Sequence, residues 1–384
     1  MIKRGIATFT LDTGECPRWL FERMVKLGGH IIDIIVEEYG PDEFIARIAD
    51  PVWFQSLGTV LAFDWNASGL TTVLTASLKE AIRGKQKQLG LFICGGKGKT
   101  SLKTPEEILN WGEIVLSESD VKRLVYSSKM AAKVDNSLVQ DGYQIYHHTF
   151  FFSRNGSWSV IQQGMNQKNQ TARRYHWYSK KIIDFVCEPH SGIISQIILP
   201  CLNLTAKESE RTRQVSTELV RGSYSGLIKD IQILRKHSGN VSRMIALKAG
   251  QQELVFAEFQ NKEFHYHPVL EEDFSQSRYL ERIMAILCER KPENYEKLIS
   301  VEGVGPKTVR ALSLVAELIY SAAPSYKDPA RYSFAHGGKD ATPYPVDIAT
   351  YDRTINFFKN VVSRMRISPC EKKSILKRLE KSLK

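Results

Sequence analysis

The chain has 384 residues, 42% of them hydrophobic and 25% charged, and carries a formal net charge of +11. That length allows two or three domains with cores of their own, and no apolar run reaches the ~18 residues needed to span a bilayer. Six scattered cysteines with no CxxC pair argue against a disulfide framework or a cysteine zinc site and fit a reduced, cytoplasmic protein. So basic a balance points to a polyanionic partner, above all nucleic acid.

The N-terminal third reads as helical. After Cys16-Pro17, RWLFERMVKLGGHIIDIIVEEYG repeats its apolar residues at helical spacing until Tyr39-Gly40-Pro41 breaks it. DEFIARIA predicts a second helix and SGLTTVLTASLKEAIRG a third, with Ser68 as its cap. The apolar strand LGLFIC then leads into the loop Gly95-Gly-Lys-Gly-Lys-Thr-Ser101. A nucleotide-binding P-loop needs a glycine five places before its Gly-Lys-Thr, and Ile93 stands there instead. The glycine-rich turn with Lys97 and Lys99 remains able to grip a polynucleotide phosphate, the alternative being a plain mobile turn.

SESDVKRLVYSSKMAAKVDNSLV predicts a further helix. The aromatic segment DGYQIYHHTFFFSRNGSWSVIQQGM follows, a hairpin folded at Arg154-Asn155-Gly156. Arg173 and Arg174 lie in the basic and aromatic run Asn169–Tyr178. That mix suits phosphates plus stacking on unpaired bases, and equally a helix or strand with core aromatics and solvated arginines. A helical pair comes next, with Thr205 or Ser209 near the first start and Ser223 or Ser225 capping the second, and QELVFAEFQNKEFHYHPVL reads as a second hairpin. His265 and His267 would share one face of its strand, as ordinary strand histidines or, given a third ligand, as a metal pair.

From about residue 276 the chain turns helical, and its last fourteen residues hold six lysines or arginines against two glutamates. SRYLERIMAILCERK predicts one helix, YEKLISV a short second, VEGVG a turn and PKTVRALSLVAELIY a helix opened by Pro306. Gly303 and Gly305 would turn main-chain amides and a helix N-terminus, with Thr308, toward a backbone phosphate. VEGVGPKTVRAL resembles the hairpin of helix-hairpin-helix DNA glycosylases. The resemblance implies Lys307 as a Schiff-base nucleophile and Asp347, in Pro345-Val346-Asp347, as its helper, with Arg353 on the next helix holding DNA. A carboxylate stabilises the cationic sugar and a neutral amine attacks it. Helix-hairpin-helix units also serve as passive grips, in which Lys307 is a phosphate contact only.

The runs PRWLFERMVKL, FDWNASGLTT, GGKGKTSLKTPEEI, LVQDGYQIYHH, QQGMN, ARRYHW and YSFAHGGKD together resemble domain-of-unknown-function family 763, largely prokaryotic and notably archaeal, across essentially the whole chain. That leaves room for a site in the N-terminal three quarters. Asp64 stands in FDWNASG. Asp141, Tyr143, Tyr146, His147, Gln162 and Gln163 lie on or beside the first hairpin, and a carboxylate at a strand start facing a polar partner strand is the layout of a metal-dependent nuclease, alternatively of plain hairpin hydrogen bonding.

These readings predict an α+β fold, mostly helical, with one or two central β-hairpins and a C-terminal helix-hairpin-helix unit. The expected regions are 1–115, 116–275 and 276–384. The expected function is a DNA repair enzyme, a base-excision glycosylase with lyase activity on double-stranded DNA carrying a lesion, without cofactor. The alternatives are a divalent-metal nuclease using Asp141, His147 and Gln162, or a non-catalytic DNA-binding protein.

Overall fold

The computed structural model describes residues 16–61, 67–237, 244–247, 254–257, 278–330, 348–365 and 367–382. The chain opens with helices α1 (Arg18–Tyr39), α2 (Pro41–Ile48), α3 (Pro51–Val60), α4 (Ala67–Ala81) and the single turn α5 (Gln86–Leu89). α1 buries Met24, Ile31, Ile32 and Ile35 along one stripe. α3 is not among the expected helices, although its start is written plainly. Pro51 occupies the first turn, and the Asp50 carboxylate accepts from the Val52 and Trp53 amides at 2.7 and 3.1 Å. α4 begins at Ala67, so Ser68 lies inside its first turn instead of capping it.

Strand β1 (Leu91–Lys97) follows, then α6 (Thr104–Val115) and α7 (Glu118–Ser137), the latter capped by Ser117. After the two-residue strand β2 (Val139–Gln140) come β3 (Gln144–Ser153), β4 (Trp158–Asn166), β5 (Thr171–Tyr178) and β6 (His190–Ser195). β1, β3, β4, β5 and β6 form one antiparallel five-stranded sheet in that order. The predicted hairpin at Arg154-Asn155-Gly156 joins β3 to β4, and LGLFIC supplies an edge strand of the same sheet. β7 (Leu202–Asn203) pairs with β2. Helices α8 (Glu210–Arg221) and α9 (Tyr224–His237) form the expected pair, and the Ser223 hydroxyl accepts from the Gly226 amide. Most of the second predicted hairpin lies outside the described residues. β9 (Leu254–Ala257) lies within QELVFAEF but pairs backwards with β8 (Met244–Leu247), and His265 and His267 lie outside the described residues. The C-terminal helices are α10 (Arg278–Arg290), α11 (Tyr295–Ser300), α12 (Pro306–Leu318), α13 (Ile348–Arg364) and α14 (Pro369–Ser382).

The five-stranded sheet is a middle layer, and strand alternation sorts its side chains into two cores. Leu91, Ile93, Phe151 and Ile161 point to one side and join the buried residues of α1 to α4 together with Phe357, Phe358, Val361 and Val362 of α13. Phe92, Phe150, Phe152, Val160 and Trp177 point to the other and join α6 to α12. The cores therefore cut across the expected limits at 115 and 275: the last two helices close the N-terminal layer. Trp53 stacks on Phe358 with centroids 5.3 Å apart, and Arg47 lies 3.8 Å over the Phe357 ring. The architecture is α+β and mainly helical. Among the described residues no helix is long and apolar enough to cross a membrane.

Candidate nucleic-acid interface

Between α1, α4, β1 and β3 opens a cleft of about 980 Å³. The glycine-rich loop forms one rim. Its first turn is fixed by an interlock of two helices and the strand end. Lys79 on α4 donates to the Gly95 carbonyl at 3.0 Å and to Glu107 on α6 at 2.6 Å. The same Glu107 oxygen accepts from the Gly95 amide at 2.8 Å. Gly95 has φ +84°, and a Cβ there would lie 2.3 Å from both the His148 carbonyl and the Thr104 hydroxyl, so only glycine fits. Beyond it Lys97, Gly98, Lys99 and Thr100 are exposed. Lys97 and Lys99 have no carboxylate partner among the described residues. Of the charged residues lining the cleft, Lys79 is paired with Glu107 and Arg83 with Glu80 at 2.7 Å, and Lys97 completes the set.

His147 forms the floor. It pairs across the sheet with Lys97 on one side and Gln163 on the other. Its Nε2 lies 3.1 Å from the Thr75 hydroxyl and 2.9 Å from that of Thr149, while Nδ1 has no partner among the described residues. Burial, with smaller contributions from His148 and Lys97, drives its pKa down to about 3, so the ring is neutral at physiological pH. Beside it the Tyr146 hydroxyl meets the Gln163 amide, which also donates to the Ser68 carbonyl at 2.9 Å. Tyr146 and Phe21 give the cleft aromatic walls. Of these residues the sequence singled out Lys97, Lys99, Tyr146, His147 and Gln163. It missed Lys79, Glu107, Thr75, Thr149 and Phe21, which become neighbours only when α1, α4 and α6 fold against the sheet.

The other predicted contacts are distributed differently. Arg173 and Arg174 are 1% and 0% exposed and do not reach a duplex in this conformation. Arg173 binds Asp141 at 2.8 Å and Asp328 at 2.7 Å, and Arg174 donates to Thr71 and Gln55 while lying 4.5 Å over Phe54. As neighbours on β5 they point to opposite faces, and both faces are covered: Arg174 lies under α3 and α4, Arg173 under the loop at Asp141 and the segment at Asp328, and each burial is offset by hydrogen bonds. Asp141 is closed to a metal ion. One oxygen accepts from the Tyr143 amide and the other from Arg173 and the Tyr175 hydroxyl. Gln162 is fully buried on the far face of the sheet, linking His148 to Asp135, which also takes the Trp177 indole N–H at 2.9 Å and His190 at 2.5 Å. His147 and Gln162 thus point to opposite faces, and no three-residue group of histidine, cysteine and carboxylates capable of holding a metal occurs among the described residues.

The turn Val301–Gly305 does join two helices, α11 and α12, on the far side of the sheet from the cleft. Gly303 takes φ +86°, where a Cβ would meet Ile283 at 2.5 Å, whereas Gly305 is extended at φ −141°. Open space faces Gly305. Pro306 is exposed and Lys307 half-buried, but Thr308 is 1% exposed, its hydroxyl turned inward. Two corner carbonyls are already taken, Gly303 by the Tyr279 hydroxyl at 2.7 Å and Val301 by Lys133 at 3.0 Å. Burial pushes the Lys133 amine below its ordinary pKa, opposed by Glu302. Asp64 and Asp347 lie outside the described residues, and only the backbone of Arg353 is described.

A family model described as a protein of unknown function (DUF763) matches residues 5–346. No curated protein and no solved structure matches the chain.

Proposed function

The chain belongs to the DUF763 family, and from its own geometry we propose that it is a DNA-binding protein that holds a strand at the glycine-rich rim of the cleft. One observation carries this reading. A rigidly anchored turn presents Lys97 and Lys99, neither paired with a carboxylate among the described residues, at the rim of a cleft in a molecule of charge +11. Exposed lysines on a fixed backbone suit phosphates, whose contacts position a strand without reading its sequence. The turn before α12 supplies a second backbone contact on the opposite side. Anisotropy titrations of a labelled duplex between ~50 and ~200 mM salt test the reading. Affinity should fall steeply with salt, and the double variant Lys97→Ala/Lys99→Ala should flatten the log–log slope by about two units, one per lysine. An affinity indifferent to salt or to both lysines overturns it.

Base excision is the second reading, favoured by the helix–turn–helix setting of Lys307 at the start of α12. Lys307 does not line the cleft, so a lyase would work at a place of its own. Lys133, whose proton burial loosens at the same corner, is a second amine able to form an imine there. Borohydride reduction in the presence of abasic DNA decides. An adduct lost in Lys307→Ala supports the lyase at Lys307, one lost only in Lys133→Ala moves the nucleophile to α7, and no adduct leaves binding as the activity.

A further inference from the structure

We infer that Leu102, at the tip of the glycine-rich turn, wedges between two base pairs of the bound duplex and kinks it. This deepens the DNA-binding reading above and rests on it.

After Lys97 the turn closes into a short 3-10 helix, Gly98–Lys103, before α6 begins. Leu102 near its end is 80% exposed, a large apolar side chain held in water. Its backbone is not loose. The Ser101 hydroxyl donates to the Gly98 carbonyl at 2.6 Å, and the hydroxyl of the buried Thr104 donates to the Ser101 carbonyl at 2.6 Å. Pro105 stiffens the first turn of α6, and Glu107 ties that helix back to Gly95 and Lys79. Both ends of the coil are anchored, so setting Leu102 against a partner orders no new backbone. A Cβ added to Gly98 would meet nothing within 4 Å, so the coil stands clear of the body on that side.

The chemistry around Leu102 selects the partner. Lys97, Lys99 and Lys103 are exposed and have no carboxylate partner among the described residues. Three such ammonium groups around one apolar side chain match a duplex groove. Phosphates line its walls, and the step between two base pairs opens to an aliphatic wedge. One leucine fills that slot, whereas attachment to a lipid surface takes a whole apolar helix face or more than one anchor. Ile183 is as bare as Leu102, but it follows β5 at the opposite end of the sheet, and Lys180 ahead of it faces Asp42 at 3.9 Å.

The test uses two end-labelled ~20-bp duplexes, one with a TA step at its centre and one with an A-tract there, read by energy transfer between the ends and by anisotropy. The wild-type protein should shorten the end-to-end distance of the TA duplex and bind it about tenfold more tightly than the A-tract duplex, because a stiff step resists the kink. Leu102→Ala should lose both the shortening and the preference, and Ile183→Ala should keep both. Leu102 is too exposed for its truncation to unfold the protein, which thermal unfolding of the variant verifies. A duplex that stays straight, a kink that survives Leu102→Ala, or one lost equally in Ile183→Ala overturns the inference while leaving DNA binding intact. Failure to bind either duplex overturns the DNA-binding reading and the inference together, and binding to phosphatidylserine vesicles in its place makes the tip a membrane contact.

Discussion

Asp141 shows how far one residue's role depends on the neighbours the fold gives it. In sequence it is an acid beside a hairpin. In the structure it is the centre of a bolt in which Arg173 joins β5 to Asp141 and, through Asp328, to the segment after α12. Burial pushes its carboxyl pKa up and Arg173 opposes the shift, so the pair stands or falls as a unit. Asp141→Ala should cost about 3–5 kcal/mol in urea unfolding, since it leaves a buried guanidinium short of one partner. His147 makes a pH prediction of opposite logic. Its folded pKa of about 3 lies below the unfolded value near 6.5, so only the unfolded chain takes up a proton between them. The stability it contributes is present above pH 6.5 and is lost as pH falls toward 3, with a slope of up to about 1.4 kcal/mol per pH unit. His148 and His176 are lowered by burial as well and steepen the same limb. Urea midpoints measured at pH 7, 6, 5 and 4 should fall progressively, and less steeply in His147→Gln.

At the scale of elements, the legible parts were those whose signals are local. α1, α7, α10 and α12 repeat their apolar residues at helical spacing, and Asn155-Gly156 marks the β3–β4 turn. The joining of LGLFIC to Ser153–Phe150 as an antiparallel edge was not legible, because nothing near residue 91 encodes a partner sixty residues on. For the same reason Arg173 and Arg174 read as surface cations: charge is local, whereas burial depends on which distant segments cover the strand. The glycine-rich rim was legible as a turn, but its rigidity was not, since it comes from Lys79 and Glu107 on two helices. Glu107→Ala removes the acceptor shared by Gly95 and Lys79. It should cost about 1–3 kcal/mol and weaken duplex binding although Glu107 touches no DNA. Thermal unfolding and anisotropy on the same variant check both.

Across the whole molecule, the two cores on either face of the sheet set how damage spreads. Phe358 is fully buried against Trp53, more than three hundred positions earlier in the chain. Phe358→Ala should destabilise by about 3–5 kcal/mol and red-shift part of the tryptophan emission, as Trp53 loses its cover. The Arg364–Glu38 ion pair, half-exposed on the arginine side, should matter far less. During synthesis the helices around Trp53 leave the ribosome with an apolar side uncovered, and α13, which covers it, is made about three hundred residues later. A nascent chain stalled before α13 should therefore attract chaperones and proteases at the helices around Trp53, made early and protected late.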